Sequence, residues 1–157
     1  MRLTMRTNLA MRVLMYCAVH PDELVRSGDV ASACNASVHH VAQVVNQLAT
    51  MGYLRTLRGR AGGMKLARKP SGITVGEVFV HFESVLPLTE CFDDGGNTCP
   101  LTVGCRLRDA LIEAQRAFYR VLEGVTLEQL VCDNHSLHHA FSAPGCHPRR
   151  VASAPFV

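Results

Sequence analysis

The apolar positions of the chain fall first into helical registers and then, briefly, into alternation. Leu9, Ala10, Val13, Leu14 and Cys17 form one stripe and predict a helix over residues 7–20. "HPDE" breaks it, and a shorter helix is expected over 27–34, with Ser27 as its cap and Asp29 in its first turn. After the tight turn "CNAS", Ser37 opens a stronger helix to residue 51, with Val41, Val44, Val45, Leu48 and Met51 on its apolar side. Its opposite side carries His39, His40, Gln43, Asn46 and Gln47.

Alternation follows. Two short strands, over 53–57 and 64–67, flank a turn that holds Gly59, Gly62 and Gly63. Pro70, Ser71 and Gly72 make a break, and Thr74 with Glu77 predicts a capping box for a helix to about residue 82. The stretch from 89 to 104 has no regular period. From Cys105 the apolar residues Leu107, Leu111, Ala114, Phe118, Val121 and Val125 step by four, three, four, three and four. That is a heptad seam, the spacing by which two helices pack along each other, and it predicts a dimerisation helix; the alternative is that it packs on its own domain. Thr126 and Gln129 suggest a cap for a last short helix, and the His-, Ser-, Ala- and Pro-rich residues after Cys132 read as a mobile tail.

The expected fold is therefore mainly α with a small β wing. A winged helix–turn–helix occupies residues 1–72, a short helix and cysteine loop 73–104, a long C-terminal dimerisation helix 105–131 and a flexible tail 132–157. Hydrophobic content of 48% with 18% charged residues is that of a folded chain rather than a disordered one. No apolar run approaches the ~18 residues of a membrane span, and Arg12 interrupts the first apolar stretch against a signal peptide, so a cytoplasmic protein without membrane contact is expected.

Charge sharpens the picture. Residues 1–70 hold ten Lys/Arg against three Asp/Glu, whereas residues 71–157 hold six against ten. Between 52 and 70 there are six basic residues and no acidic one. A basic hairpin beside a polar-faced helix points to double-stranded DNA. Ser37, His39, His40, Gln43 and Asn46 are candidates to read base edges in the major groove. Arg55, Arg58, Arg60 and Lys65 are candidates for phosphates or a minor groove. Each residue alone reads equally well as a solvated face; the combination carries the inference.

Seven cysteines without an export signal favour metal or redox chemistry over a disulfide framework. Cys91, Cys99 and Cys105 are separated by seven and five residues, which is long for the paired knuckles of structural zinc. Such gaps suit a loop draped around a bulkier inorganic core, with Gly95, Gly96 and Gly104 giving flexibility. By spacing alone, zinc ligands, a thiol switch and an incidental grouping all stay open. Cys17 and Cys34 read as packing residues. Cys132, His135, His138, His139, Cys146 and His147 have the residue types of a zinc site but an irregular spacing. His81 reads as part of a partly buried helix face. An enzyme is disfavoured, since G-x-G-x-x-G, P-loop, G-x-S-x-G and H-E-x-x-H motifs are all absent.

Three stretches, "MRLTMRTNLAMRVLMYCA", "RGRAGGMKLARKP" and "ECF…TCPLTVGCRLRDAL…AFYRVLEGVTLEQL", resemble a family of bacterial winged-helix iron–sulfur regulators with NsrR-, IscR- and RirA-like branches. The resemblance runs from residue 1 to about 131. It implies a homodimer whose long helices cross, and an iron–sulfur cluster on Cys91, Cys99 and Cys105. The cluster would be 4Fe–4S by preference, with 2Fe–2S as the alternative. Arg108 stands where the cluster-assembly (IscR-like) branch has a histidine ligand, which disfavours that branch. "CNASVHHVAQVVNQLATMGYL" is most similar to the nitric-oxide-sensing (NsrR-like) branch, with the iron-responsive (RirA-like) branch as runner-up and a zinc- or thiol-based regulator behind it. In the nitric-oxide-sensing branch an aspartate of the partner subunit's first helix often completes the cluster; here that position is Asn8, a poorer iron ligand. Glu90, Asp93 and Asp94 are substitutes, and Arg12 is a candidate to pair with them or with the anionic cluster. The implied function is a repressor that releases operator DNA when nitric oxide attacks its cluster.

Overall fold

A computed structural model of the chain describes residues 3–59, 61–83, 89–92 and 95–142. Its elements, in order, are α1 (Met5–Val19), α2 (Ser27–Ala33), α3 (Val38–Thr50), β1 (Leu54–Leu57), β2 (Gly63–Leu66), α4 (Val75–Glu83), α5 (Arg106–Glu123), α6 (Leu127–Val131) and α7 (His135–Ser142). Single 3-10 turns lie at Pro70–Gly72, Glu90–Phe92 and Thr102–Gly104. The mainly helical fold with its small two-stranded sheet is the expected class.

Helix α1 forms the centre because it is apolar on more than one side. Ala10, Val13, Leu14 and Cys17 are buried, but so are Met11, Tyr16 and Thr7, and α3, α4, α6, α7 and β2 all pack around it. Thr4 caps it, accepting the amide of Thr7 at 3.2 Å, so the helix begins at Met5, two residues earlier than the apolar stripe suggested. Around this axis Val30, Val41, Leu48, Tyr53, Met64, Ile73, Val78 and Leu127 close the core.

Helices α2 and α3 pack on each other across the turn 34–37, where Asn35 adopts φ 49°, a left-handed conformation that asparagine tolerates. Ser27 is not the cap of α2: Arg26 holds that position, and the Asp29 carboxylate accepts its amide at 3.3 Å. Ser37 caps α3 as expected, its Oγ accepting the amide of His40 at 3.2 Å.

Strands β1 and β2 pair antiparallel, with Leu54 opposite Leu66, Arg55 opposite Lys65 and Thr56 opposite Met64. The hairpin is anchored by reciprocal backbone hydrogen bonds between Val25 and Met64, at 2.9 and 2.8 Å. Gly63 is required there, because a Cβ would sit 2.9 Å from the Val25 carbonyl oxygen. Gly59 turns the hairpin at φ 112°.

Thr74 Oγ1 accepts the amide of Glu77, but the Glu77 carboxylate does not return to Thr74: it binds Arg68 Nη2 at 2.8 Å. Helix α5 packs on α4, so closely that a Cβ on Gly76 would lie 2.6 Å from the Glu123 amide nitrogen. The six residues of the heptad seam divide into two groups. Phe118 packs on Phe79, with ring centroids 6.2 Å apart, and Val125, beyond the end of α5, joins the core of its own chain. Leu107 and Val121 stay 67% and 68% exposed, Ala114 is exposed, and Leu111 is half-buried. The heptad read two faces as one, since α5 turns one apolar edge to its own core and another outward.

The expected loose tail also differs. Residues 135–142 form α7, whose Phe141 ring lies 5.1 Å from that of Tyr16 on α1. Leu137 and Phe141, one helical turn apart, are the sequence signal for it that the His/Ser-rich composition obscured. Residues 143–157, with Cys146 and His147, lie outside the described residues. Among the described residues, no helix is long and apolar enough to cross a membrane.

Candidate DNA interface and cysteine site

Helix α3 presents one exposed polar side. Ser37, His39, His40, Gln43 and Asn46 are all solvent-exposed, while Val41, Val44, Val45 and Leu48 hold the other side in the core. The Gln43 amide nitrogen donates to His39 Nε2 at 3.1 Å, so the two side chains stand together one turn apart. On the wing, Arg55 and Lys65 are directly opposite each other in the ladder, and both are exposed. Two like charges at that spacing repel, so the hairpin carries a local electrostatic cost that a polyanion would relieve. Arg58 is exposed at the turn, and Arg60 lies outside the described residues. Of the basic residues counted in this segment, Arg68 has a structural task. Its guanidinium lies 4.8 Å from the centroid of the Tyr53 ring and binds Glu77. His81, exposed rather than partly buried, is hydrogen-bonded through Nδ1 to the Tyr53 hydroxyl at 2.7 Å and ties the base of the wing to α4.

Between α1 and the helix–turn–helix lies a cleft of about 490 Å³ whose wall includes Arg6, Asn8, Arg12, Asn35, Ser37 and His40. Arg12 donates to the carbonyl of Cys34 at 3.1 Å and thereby fixes the turn ahead of α3. Asn8 and Arg12 are both exposed on this wall, and among the described residues no part of the cysteine loop lines it.

The three loop cysteines are half-buried, and each has a polar neighbour that fixes it. The Thr89 hydroxyl lies 3.0 Å from Cys91 Sγ. The Cys99 amide donates to Asn97 Oδ1 at 3.1 Å, and the Thr102 hydroxyl donates to the Cys99 carbonyl at 2.8 Å. Cys105 is the N-cap of α5, its Sγ accepting the amide of Arg108 at 3.4 Å. Arg108 also donates from Nε to the Cys91 carbonyl at 3.2 Å, a contact invisible to local sequence reading because the partners are 17 residues apart. Among the described residues, no three His, Cys, Asp or Glu side chains are gathered closely enough to hold a single metal ion. Glu90 accepts from the Thr98 hydroxyl, and Asp93 and Asp94 lie outside the described residues.

The remaining thiols differ in kind. Cys17 is 2% exposed, and burial pushes its thiol up to about 12. Burial also raises Cys34, partly offset by the Arg12 charge. Both are core residues. Cys132 is exposed and raised chiefly by the charge of Asp133, while His138 Nε2 is engaged by the Val131 carbonyl at 2.9 Å.

With this geometry in view, comparison with known proteins is informative. A family model described as Rrf2, iron-dependent transcriptional regulator, matches residues 3–133. An HTH-type transcriptional regulator NsrR of Geobacillus kaustophilus is 45% identical over 138 residues, covering 87% of this chain and 94% of the relative. Protein aau3 of Rhizobium meliloti is 40% identical over 131 residues, covering 83% and 85%. Among solved structures, IscR of T. potens superposes with a TM-score of 0.69 at 19% identity, over 87% of this chain and 90% of that one, a likeness of fold.

Proposed function

The chain belongs to the Rrf2 family of transcriptional regulators, and from that premise we propose that it is an iron–sulfur repressor that senses nitric oxide and lets go of its operator in response. The observation that carries this reading is the trio Cys91, Cys99 and Cys105. They are accessible, oriented by polar neighbours and placed between α4 and α5, whereas Cys17 and Cys34 are buried with raised pKa. Donor chemistry fits the group, since thiolates are the usual ligands of iron–sulfur clusters and a polynuclear core needs sulfurs farther apart than one ion does. The cluster is 4Fe–4S by preference, with 2Fe–2S as the alternative. Bound there, a cluster would supply iron with affinity for nitric oxide, held by Cys91, Cys99 and Cys105.

The chain's own residues do the rest. Ser37, His39, His40, Gln43 and Asn46 face base edges, with Arg55, Arg58, Arg60 and Lys65 on phosphates. Helix α5, 18 residues long, buries none of its residues completely in its own chain, and its outward Leu107, Ala114 and Val121, with half-buried Leu111, form the dimer contact. Phe118 and Val125 support that contact from the core side rather than within it. Asn8, on the cleft wall with Arg12, is the residue offered to the partner subunit's cluster, with Arg12 beside it to pair with that anionic group. Losing such a group would release Cys91, Cys99 and Cys105 ahead of α5 and would change the spacing of the two α3 helices, which two operator half-sites could not follow. The protein acts in the cytoplasm. A second reading, with iron as the signal, has the family's description as iron-dependent in its favour.

Anaerobic reconstitution of wild type and of Cys91→Ala, Cys99→Ala, Cys105→Ala and Cys17→Ala, with iron and sulfide analysis, tests the assignment. The three loop variants lose the brown chromophore and Cys17→Ala keeps it. Stoichiometric zinc in a colourless wild type would replace this reading with a zinc- or thiol-based regulator.

A further inference from the structure

One residue, Arg108, joins two ends of the cysteine segment, by its backbone at one end and its side chain at the other. Its amide donates to Cys105 Sγ at 3.4 Å, its Nε donates to the Cys91 carbonyl at 3.2 Å, and its guanidinium carbon lies 5.8 Å from the Phe92 ring centroid. The first contact belongs to the helix N-cap and is fixed by α5 itself. The second reaches back across 17 residues to the 3-10 turn at Glu90–Phe92. The Phe92 ring, next to Cys91, lies within cation–π range of the guanidinium.

We propose that Arg108 is a positioning residue for the cluster site, drawing Cys91 and Cys105 into one pocket before iron arrives and holding a fixed positive charge beside it. The proposal rests on the cluster reading above. A chelating loop must close before all its ligands can act together, and closing it costs chain entropy. A contact that closes it in advance removes that cost from binding. Arginine suits the task for three reasons. Its charge persists at any pH at which the fold survives. With Nε on the carbonyl, the two Nη nitrogens are further donors that can serve thiolate or sulfide sulfur. Lacking a lone pair, it cannot ligate iron, so it organises the site without filling a coordination position. Alanine removes all three properties, glutamine retains polarity without charge, and lysine retains charge without the planar fork.

The first test uses the apo protein. Wild type, Arg108→Ala, Arg108→Gln and Arg108→Lys are treated with a short thiol-bridging reagent such as dibromobimane, and the Cys91–Cys105 bridge is quantified by peptide mass mapping. The expected yield falls on the order of tenfold in Arg108→Ala and Arg108→Gln, with part of it restored in Arg108→Lys. Thermal midpoints stay within a degree or two of wild type, because Arg108 is outside the core. The second test measures the reduction potential of reconstituted protein, which shifts downward in Arg108→Ala and less in Arg108→Lys. A wild-type bridging yield no higher than that of Arg108→Ala overturns the proposal, as does an unchanged potential in Arg108→Ala. A wild type that bridges yet takes up no cluster sinks the cluster reading and, with it, the role assigned to Arg108.

Discussion

Thr7 and Glu83 are hydrogen-bonded across 76 residues of chain, the hydroxyl of the first donating to the carboxylate of the second. The same carboxylate oxygen accepts the Thr4 amide at 2.8 Å, so the last residue of α4 caps the first turn of α1. Among the described residues Thr7 is the fully buried polar one, and Asn8 follows it directly on the cleft wall. One contact thus connects the end of α4, from which the cysteine segment departs, to the residue assigned to the partner's cluster.

Breaking that contact costs stability. Thr7→Val leaves the Glu83 carboxylate short of a donor in a half-buried place, and a loss of about 1–3 kcal/mol is expected in urea unfolding. Thr7→Ser, which keeps the hydroxyl, loses clearly less. Equal losses for the two variants would show that packing, not the hydrogen bond, matters at this position.

Two glycines should respond oppositely to alanine. At Gly76 the added Cβ meets the backbone of Glu123 at 2.6 Å, so α5 must shift, at an expected cost of about 1–3 kcal/mol. At Gly28, inside α2, nothing lies within 4 Å, and alanine is expected to stabilise by roughly 0.4–1 kcal/mol. Thermal melts of the two variants check both signs together.

The buried thiol of Cys17 gives stability a defined alkaline limit. Its pKa in the fold is pushed up to about 12 from 9.0 by burial, so between those values the unfolded chain loses a proton that the fold retains. Stability from this group is full below pH 9 and declines as pH rises toward the folded value, by at most ~1.4 kcal/mol per pH unit. Urea midpoints measured across that range should fall, and Cys17→Ala should flatten part of the fall. At neutral pH, iodoacetamide should label Cys91, Cys99, Cys105 and Cys132 in the native apo protein while sparing Cys17 and Cys34.

Wing and helix α3 make separable contributions to DNA binding. Lys65→Ala, which relieves the Arg55–Lys65 repulsion, should weaken all sequences alike and lower the salt dependence by about one phosphate contact. Gln43→Ala should instead narrow the gap between operator and random DNA, by ~1–3 kcal/mol if it makes a bidentate base contact. Fluorescence anisotropy at several salt concentrations distinguishes the two effects.

Local signals were legible from the residues alone. Ser37 as a cap, the glycine-turned hairpin and the buried stripe of α3 all depend on contacts a few residues apart. The readings that changed depend on what the chain meets elsewhere. A heptad cannot tell which apolar edge faces its own core, so Phe118 and Val125 were grouped with Leu107 and Val121. Arg68 counts as a wing charge until Glu77 and Tyr53 come beside it. Residues 135–142 look like tail because histidine and serine outnumber the apolar residues, of which Phe141 packs against the core. Arg108 stood out only as the place of a missing histidine, and its bond to the Cys91 carbonyl spans a loop with no period to read.

The central claim is that cysteine-bound iron–sulfur chemistry controls the DNA grip, and one titration addresses it. Protein reconstituted anaerobically is bound to operator DNA, and nitric oxide is added stepwise while affinity and the cluster absorbance are followed together. Operator affinity is expected to collapse in step with loss of the cluster signal, with Cys99→Ala insensitive throughout. Undiminished binding after complete nitrosylation would contradict the account.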